Sequence, residues 1–249
     1  MVCDSELSHQ DCVEYLRQLP PGSVDMVCVD PPYFQIVKNE WDNQWETEEE
    51  YLQWCAEWTQ ECFRVLKPGK CFYVWGTTKT DTFLRYKLDV LNKIEGAHYQ
   101  NWIIWHYDWG GRTKKTFPRK HEDLLMYSKG KEFLFNADDV RIPYKMKKNV
   151  RATASNNPLG KIPTDVWMKN NHTTSKEYAG WHPTQKPISI LERLIKANTM
   201  PGDVVLDCFS GSGSTMIAAA KTGRNFRGCE MDKEYYIKSL ERFEKLVGH

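Results

Sequence analysis

The feature that most restricts the fold of this chain is an alternation. Short apolar runs, ending on acidic or glycine-rich turns, are separated by stretches with helical periodicity. Val24–Val29 is the first clear run, and it stops at Asp30. Over 48–66, Tyr51, Cys55, Trp58, Cys62 and Val65 recur at helical spacing, with Thr47 and Glu50 placed as a capping box. Pro68-Gly69 should stop that helix and Cys71–Trp75 form the next strand. A helix over about 80–94 then leads to strands at Trp102–Tyr107 and Leu124–Tyr127, close enough in sequence to pair like a hairpin. A helix from near Pro187, a strand at Val204–Leu206, a helix over Ser214–Lys221 and a strand at Asn225–Cys229 follow. The final helix carries Tyr236, Leu240, Phe243 and Val247 on one stripe. Such alternation implies an α/β fold with a mostly parallel, doubly wound sheet, which binds ligands beyond the carboxyl ends of its strands.

Between these regular parts, 130–180 is rich in Lys, Asn and Thr and broken by Pro143, Pro158, Gly160 and Pro163. It reads as an irregular insertion between a first catalytic part, 1–129, and a second, 181–249. Charge marks the same middle. Residues 101–180 hold 15 Lys/Arg against 8 Asp/Glu, while the rest of the chain is net acidic, so that the total is +1. A basic middle in an acidic scaffold suits either a polyanion-binding face or a solvated surface loop. Eight cysteines without a CxxC pair argue against a zinc site and for a reducing, cytoplasmic setting. No apolar run approaches the roughly 20 residues of a membrane span, and the start shows no secretory signal.

Three segments carry chemistry. Asp207-Cys208-Phe209-Ser210-Gly211-Ser212-Gly213-Ser214-Thr215 follows a strand and opens a helix, where glycines let a ligand approach the backbone. Alone that is a weak signal, open also to a merely tight turn. Met216 stands where a dinucleotide fingerprint wants its third glycine, and no lysine follows Gly213 as a P-loop requires. Glu230 ends the next strand, where an α/β nucleotide site places a carboxylate on the ribose hydroxyls. Asp30-Pro31-Pro32-Tyr33 ends the first apolar strand. The Asp30 carboxylate and the Pro31 carbonyl can accept both hydrogens of a base amino group, and Tyr33 offers a face for an extruded base.

Asp30–Tyr33 and Phe209–Gly213 match the DPPY and FxGxG signatures of methyltransferases that use S-adenosylmethionine (SAM). With His182-Pro183-Thr184-Gln185-Lys186-Pro187 between them, the circularly permuted order resembles the β-group of DNA N6-adenine and N4-cytosine methyltransferases. The resemblance implies a Rossmann-like SAM-dependent methyltransferase sheet, mostly parallel with an antiparallel late strand, acting on adenine N6 in double-stranded DNA. It assigns catalysis to Asp30, Pro31, Pro32 and Tyr33. It places SAM on Asp11, Cys12, Asp30, Phe209, Ser210, Gly211, Ser212, Gly213, Ser214 and Glu230, with Lys186 pairing its carboxylate and Thr184 adding a hydroxyl. His182 is read as structural, and His121-Glu122 resembles a family position beside the target base. DNA contacts fall on Arg112, Lys114, Lys115, Arg119, Lys120 and His121, and on Lys145, Lys147, Lys148 and Arg151. Loop 34–47, with Trp41 and Trp45, either closes over the flipped base or packs in the ordinary way. No metal is implied. A homodimer, a separate cognate restriction endonuclease and a bacterial or phage origin go with the family. Phe34 stands where members often carry Asn. N4-cytosine, adenine in RNA, or a non-catalytic nucleic-acid binder are the alternatives.

Overall fold

The computed structural model describes residues 3–36, 40–110, 112–144, 157–169 and 176–248. In chain order its strands are β1 (Ser5–His9), β2 (Val24–Val29), β3 (Leu66–Gly76), β4 (Ala97–His106), β5 (His121–Lys129), β6 (Val166–Met168), β7 (Val204–Asp207) and β8 (Asn225–Glu230). Its α-helices are α1 (Cys12–Gln18), α2 (Glu48–Val65), α3 (Thr82–Arg85), α4 (Ile188–Asn198), α5 (Ser214–Lys221) and α6 (Lys233–Val247). The eight strands form one sheet in the order β1-β8-β7-β2-β3-β5-β4-β6. The strands from β1 to β3 run parallel, β5 is antiparallel to both β3 and β4, and β6 returns parallel to β4.

β2 is buried at every position, as a central parallel strand must be. One core forms where α2 presses its stripe on the sheet: Cys55, Trp58, Cys62 and Val65 are all buried. The predicted capping box is present, Glu50 N–H donating to Thr47 Oγ1 at 3.2 Å and the Glu50 carboxylate reaching back. On the opposite face, α4 and α5 cover Met26, Val205 and Phe226.

Four expectations change. Pro68-Gly69 does not separate helix from strand, because β3 starts at once at Leu66. Instead the pair sits in a bulge between the Val24↔Leu66 and Met26↔Cys71 pairings, with Gly69 at φ +73°. The bulge carries Lys67 and Lys70 to Asp25, at 2.8 and 3.2 Å. The helix expected over 80–94 is only α3, continued by a π turn (Tyr86–Val90) and a 3-10 turn (Leu91–Lys93). That widening brings Tyr86, Val90 and Leu91 together on the buried side. Within the supposedly irregular insertion, β6 extends the sheet, and Asn136 Nδ2 donates to the Lys196 and Thr199 carbonyls at the C-terminal end of α4. Finally, β1 forms at Ser5–His9, where the sequence carries no apolar run. No helix among the described residues is long and apolar enough to cross a membrane.

Candidate active site

β2 and β7 are neighbours, yet the chain proceeds from β2 to β3 in one direction and from β7 to β8 in the other. Strands whose connections diverge leave a crevice above their carboxyl ends. Here that crevice is a cavity of about 780 Å³, lined from one side by Asp30–Tyr33 and from the other by the turn after β7. Its volume lies in the range of small-molecule sites.

On the first side, both oxygens of Asp30 are engaged. Tyr33 Oη donates to Oδ1 at 2.7 Å, and Lys186 Nζ donates to Oδ2. The Pro-Pro turn is held from two elements. Tyr51 of α2 donates to the Pro32 carbonyl at 2.9 Å, and Tyr33 N–H donates to Asp42 Oδ1 at 2.8 Å. Lys186 is also 3.1 Å from Glu122 Oε2, off the hydrogen-bond direction but close enough to pair by charge. Its Nζ lies 5.3 Å from the centre of the Trp75 ring. Burial opposes the charge on Lys186, but the two carboxylates outweigh it and hold the ammonium above the usual lysine range. Burial pushes the Glu122 carboxyl up, Lys186 restrains that rise and Asp30 adds to it.

On the second side, Gly211 sits at φ +47°, and its N–H donates to Glu230 Oε2 at 2.7 Å. Asp232 N–H donates to Oε1 at 2.9 Å, so the Glu230 carboxylate ties the glycine turn to the end of β8. A side chain at 211 would collide with His182, whose Nε2 lies 2.7 Å from the position of a Cβ. His182 packs on Tyr235 of α6, ring centres 4.8 Å apart, and burial holds its pKa down at about 4, which keeps it neutral at physiological pH. Phe209 meets Trp54 and Trp58 edge-on, at 5.7 and 5.2 Å between centres. Asp11 caps α1, accepting from Val13 N–H at 2.8 Å and Glu14 N–H at 3.1 Å.

A match to the family described as DNA methylase runs over residues 24–241. This chain belongs to that family. Among its relatives, the methylase is 34% identical over 248 residues to the type II methyltransferase M.HpaI of Haemophilus parainfluenzae, covering 97% of this chain and 74% of that one. It is 34% identical over 247 residues to the DNA adenine methyltransferase YhdJ of Escherichia coli (strain K12), covering 95% and 81%. In fold it resembles the solved PvuII DNA methyltransferase (cytosine-N4-specific), with TM-score 0.78, 21% identity and coverage of 98% and 87%.

Most residues expected in the methylase's site line the one cavity: Asp11, Cys12, Asp30, Pro31, Pro32, Tyr33, Thr184, Lys186, Phe209, Ser210, Gly211, Ser212, Ser214 and Glu230. Gly213 is turned instead toward α6. Its φ of +73° starts α5, and a Cβ there would stand 3.1 Å from Ser239. Arg242 holds the far side of the turn through the Ser212 carbonyl at 2.6 Å and Ser214 Oγ at 3.1 Å. Lys186 is not left facing the cavity as an unpaired cation, since Asp30 and Glu122 already flank it. Trp41 lines the cavity and meets Tyr235 edge-on at 5.8 Å, whereas Trp45 packs on Tyr51 and Trp54.

Arg112, Lys114 and Lys115 are exposed on the loop between β4 and β5. Arg119 and His121 line the cavity, 3.2 Å apart, with Arg119 also 3.4 Å from Asp123. Lys120 is spent on the Trp109 and Gly110 carbonyls, at 2.8 and 2.7 Å. Lys145, Lys147, Lys148 and Arg151 lie outside the described residues. Trp75 and Tyr235 line the site as well, though nothing in the sequence around them marks them for it. Thr215, which closes the glycine-turn segment, lines it too.

Asp207, at the end of β7, is buried, and burial raises its pKa to about 7 against the restraint of Thr215 and Phe209 N–H. An unfolded aspartate ionises near pH 3.9. Stability contributed by this group is therefore present below about pH 4 and lost progressively up to about pH 7. Asp207→Asn removes that slope. In urea unfolding, the stability of the wild type relative to the variant should fall from pH 4.5 to pH 7.5; a relative stability that rose with pH would refute the assignment.

Proposed function

We propose that this methylase transfers a methyl group from SAM to the N6 amino group of adenine in double-stranded DNA, with the base extruded into the cavity. The observation that carries this reading is the juxtaposition of Asp30–Tyr33 and the Phe209–Gly213 turn across one crevice at the β2/β7 divergence. The residues present fit the cofactor. Gly211 leaves a cradle that a Cβ would fill, and Glu230 ends β8 with its carboxylate at the cavity wall. In this reading Glu230 accepts the ribose hydroxyls, Asp11 and Cys12 border the adenine, and Phe209 with Ser210–Ser214 flanks the methionine part. Thr184 and Lys186 stand between cofactor and base. When bound, SAM supplies an electrophilic sulfonium methyl.

The chain's own groups then position the nucleophile. Asp30 and the Pro31 carbonyl accept hydrogen bonds from the two amino hydrogens, which draws the nitrogen lone pair out of conjugation with the ring. As the nitrogen gains the methyl the carbon–sulfur bond breaks, leaving a neutral thioether, and one amino proton is lost to solvent. Lys186 holds Asp30 in place, and Tyr33 turns its ring to the base. The work is orientation and fixed electrostatics. Adenine is favoured by Asp at position 30 and by the name of the YhdJ relative. Relatives named type II methyltransferases support a cognate restriction endonuclease as a separate protein, in the cytoplasm of a bacterium. A homodimer belongs to the same reading and would show in the solution mass.

Nucleoside mass spectrometry of DNA treated with the enzyme and SAM should find N6-methyladenine. N4-methylcytosine instead would change the base, and no modified nucleoside in DNA would reject the reading. Binding should also weaken steeply with salt, since lysine and arginine on phosphates release counterions. Lys114→Ala with Lys115→Ala should flatten the log K against log salt slope by about 1–2. An unchanged slope in fluorescence-anisotropy titrations would place the DNA face elsewhere.

A further inference from the structure

The loop between β4 and β5 presents Phe117 to solvent with 99% of its surface exposed, the highest of any large apolar residue described. Water solvates such a ring poorly, and nothing in the described structure packs against it. Its setting is specific. Arg112, Lys114 and Lys115 stand exposed before it, and Arg119, two residues after it, reaches into the catalytic cavity.

The base of the loop is tied down. Lys120 clamps the Trp109 and Gly110 carbonyls, Arg119 binds Thr78 and Asp123, and Tyr107 stacks on Trp109 with centres 4.6 Å apart. Pro118 restricts the backbone next to the ring. An aromatic side chain is thus held out in solvent among cations, two residues from the cavity-lining Arg119, which is the chemistry of a wedge for stacked, polyanionic duplex DNA.

Resting on the proposed function, we propose that Phe117 enters the DNA stack and fills the place left by the extruded base, while Arg112, Lys114 and Lys115 follow the flanking phosphates. Filling that gap offsets the unstacking that extrusion requires. The wedge matters most where the target base is paired and stacked, and least where it is already loose.

The test compares the wild type, Phe117→Ala and Phe117→Trp on two DNA duplexes carrying the methylated sequence, one matched and one with the target base mispaired. Phe117 makes no packing contact, so its replacement leaves the fold intact. Phe117→Ala should lose about ten- to hundredfold in kcat/KM on the matched duplex, the range of one aromatic–base stack, and less than about threefold on the mispaired one. Phe117→Trp should restore most of the matched-duplex rate. With 2-aminopurine at the target position, Phe117→Ala should brighten less than the wild type on binding. Equal losses on both duplexes, or no loss on either, would overturn the wedge. A wild type that methylates neither duplex would instead sink the function on which the proposal rests.

Discussion

Asp30→Ala should fold and bind DNA, yet methylate about 10²–10³-fold more slowly, the scale of one lost preorganised polar group, ~2.7–4 kcal/mol. The carboxylate ends β2 facing the cavity and accepts from Tyr33 and Lys186. Its removal takes the acceptor from the amino group and leaves the Lys186 ammonium beside Glu122 alone. Asp30→Asn keeps the shape and one acceptor oxygen, so it should lose less than Asp30→Ala under single-turnover conditions. Near wild-type methylation by folded Asp30→Ala would remove Asp30, and with it the assignment of the DPPY segment to the target base.

The second large effect belongs to the cofactor side. Glu230→Ala should weaken SAM by about 1.5–3 kcal/mol, as expected for charge-assisted bonds to hydroxyls, which titration calorimetry would read as roughly ten- to hundredfold in Kd. The structure adds a second cause to that loss. Gly211 N–H and Asp232 N–H both end on the Glu230 carboxylate, so the variant also loosens the glycine turn. Glu230→Gln, which retains an acceptor oxygen, should fall between the two. Unchanged binding by folded Glu230→Ala would take the residue out of the site.

What could be read from sequence was what is decided locally. The α2 stripe and its capping box depend on residues a few positions apart, and both appear where expected. The DPPY segment and the glycine turn are each contiguous, so their types were visible before their meeting across the cavity was. Elements decided by distant partners were not visible. β1 buries only Leu7 and so shows no apolar run. In β6, Val166 and Met168 are exposed, and only backbone pairing to β4 makes it a strand. Pro68-Gly69 reads as a stop in isolation, and only the offset between β2 and β3 makes it a bulge. The pairing of Lys186 with Glu122 requires β5 to lie antiparallel against β3, which brings Asp123 opposite Gly76 and Glu122 to the cavity. No local spacing encodes that.

The pairing of Ser5–His9 with Phe226–Glu230 has a consequence for the order of events during synthesis. Because Ser5 pairs with Phe226 and His9 with Glu230, β1 must keep its backbone groups bonded to water until β8 has been made. Contacts of such long sequence separation are slow to form. The neighbouring elements β7, α5 and β8 can assemble before this strand docks, leaving β8 as a temporary open edge. A chaperone acting on this chain would have most to protect at that moment, and removal of residues through His9 should make β8 a permanent edge that recruits other chains.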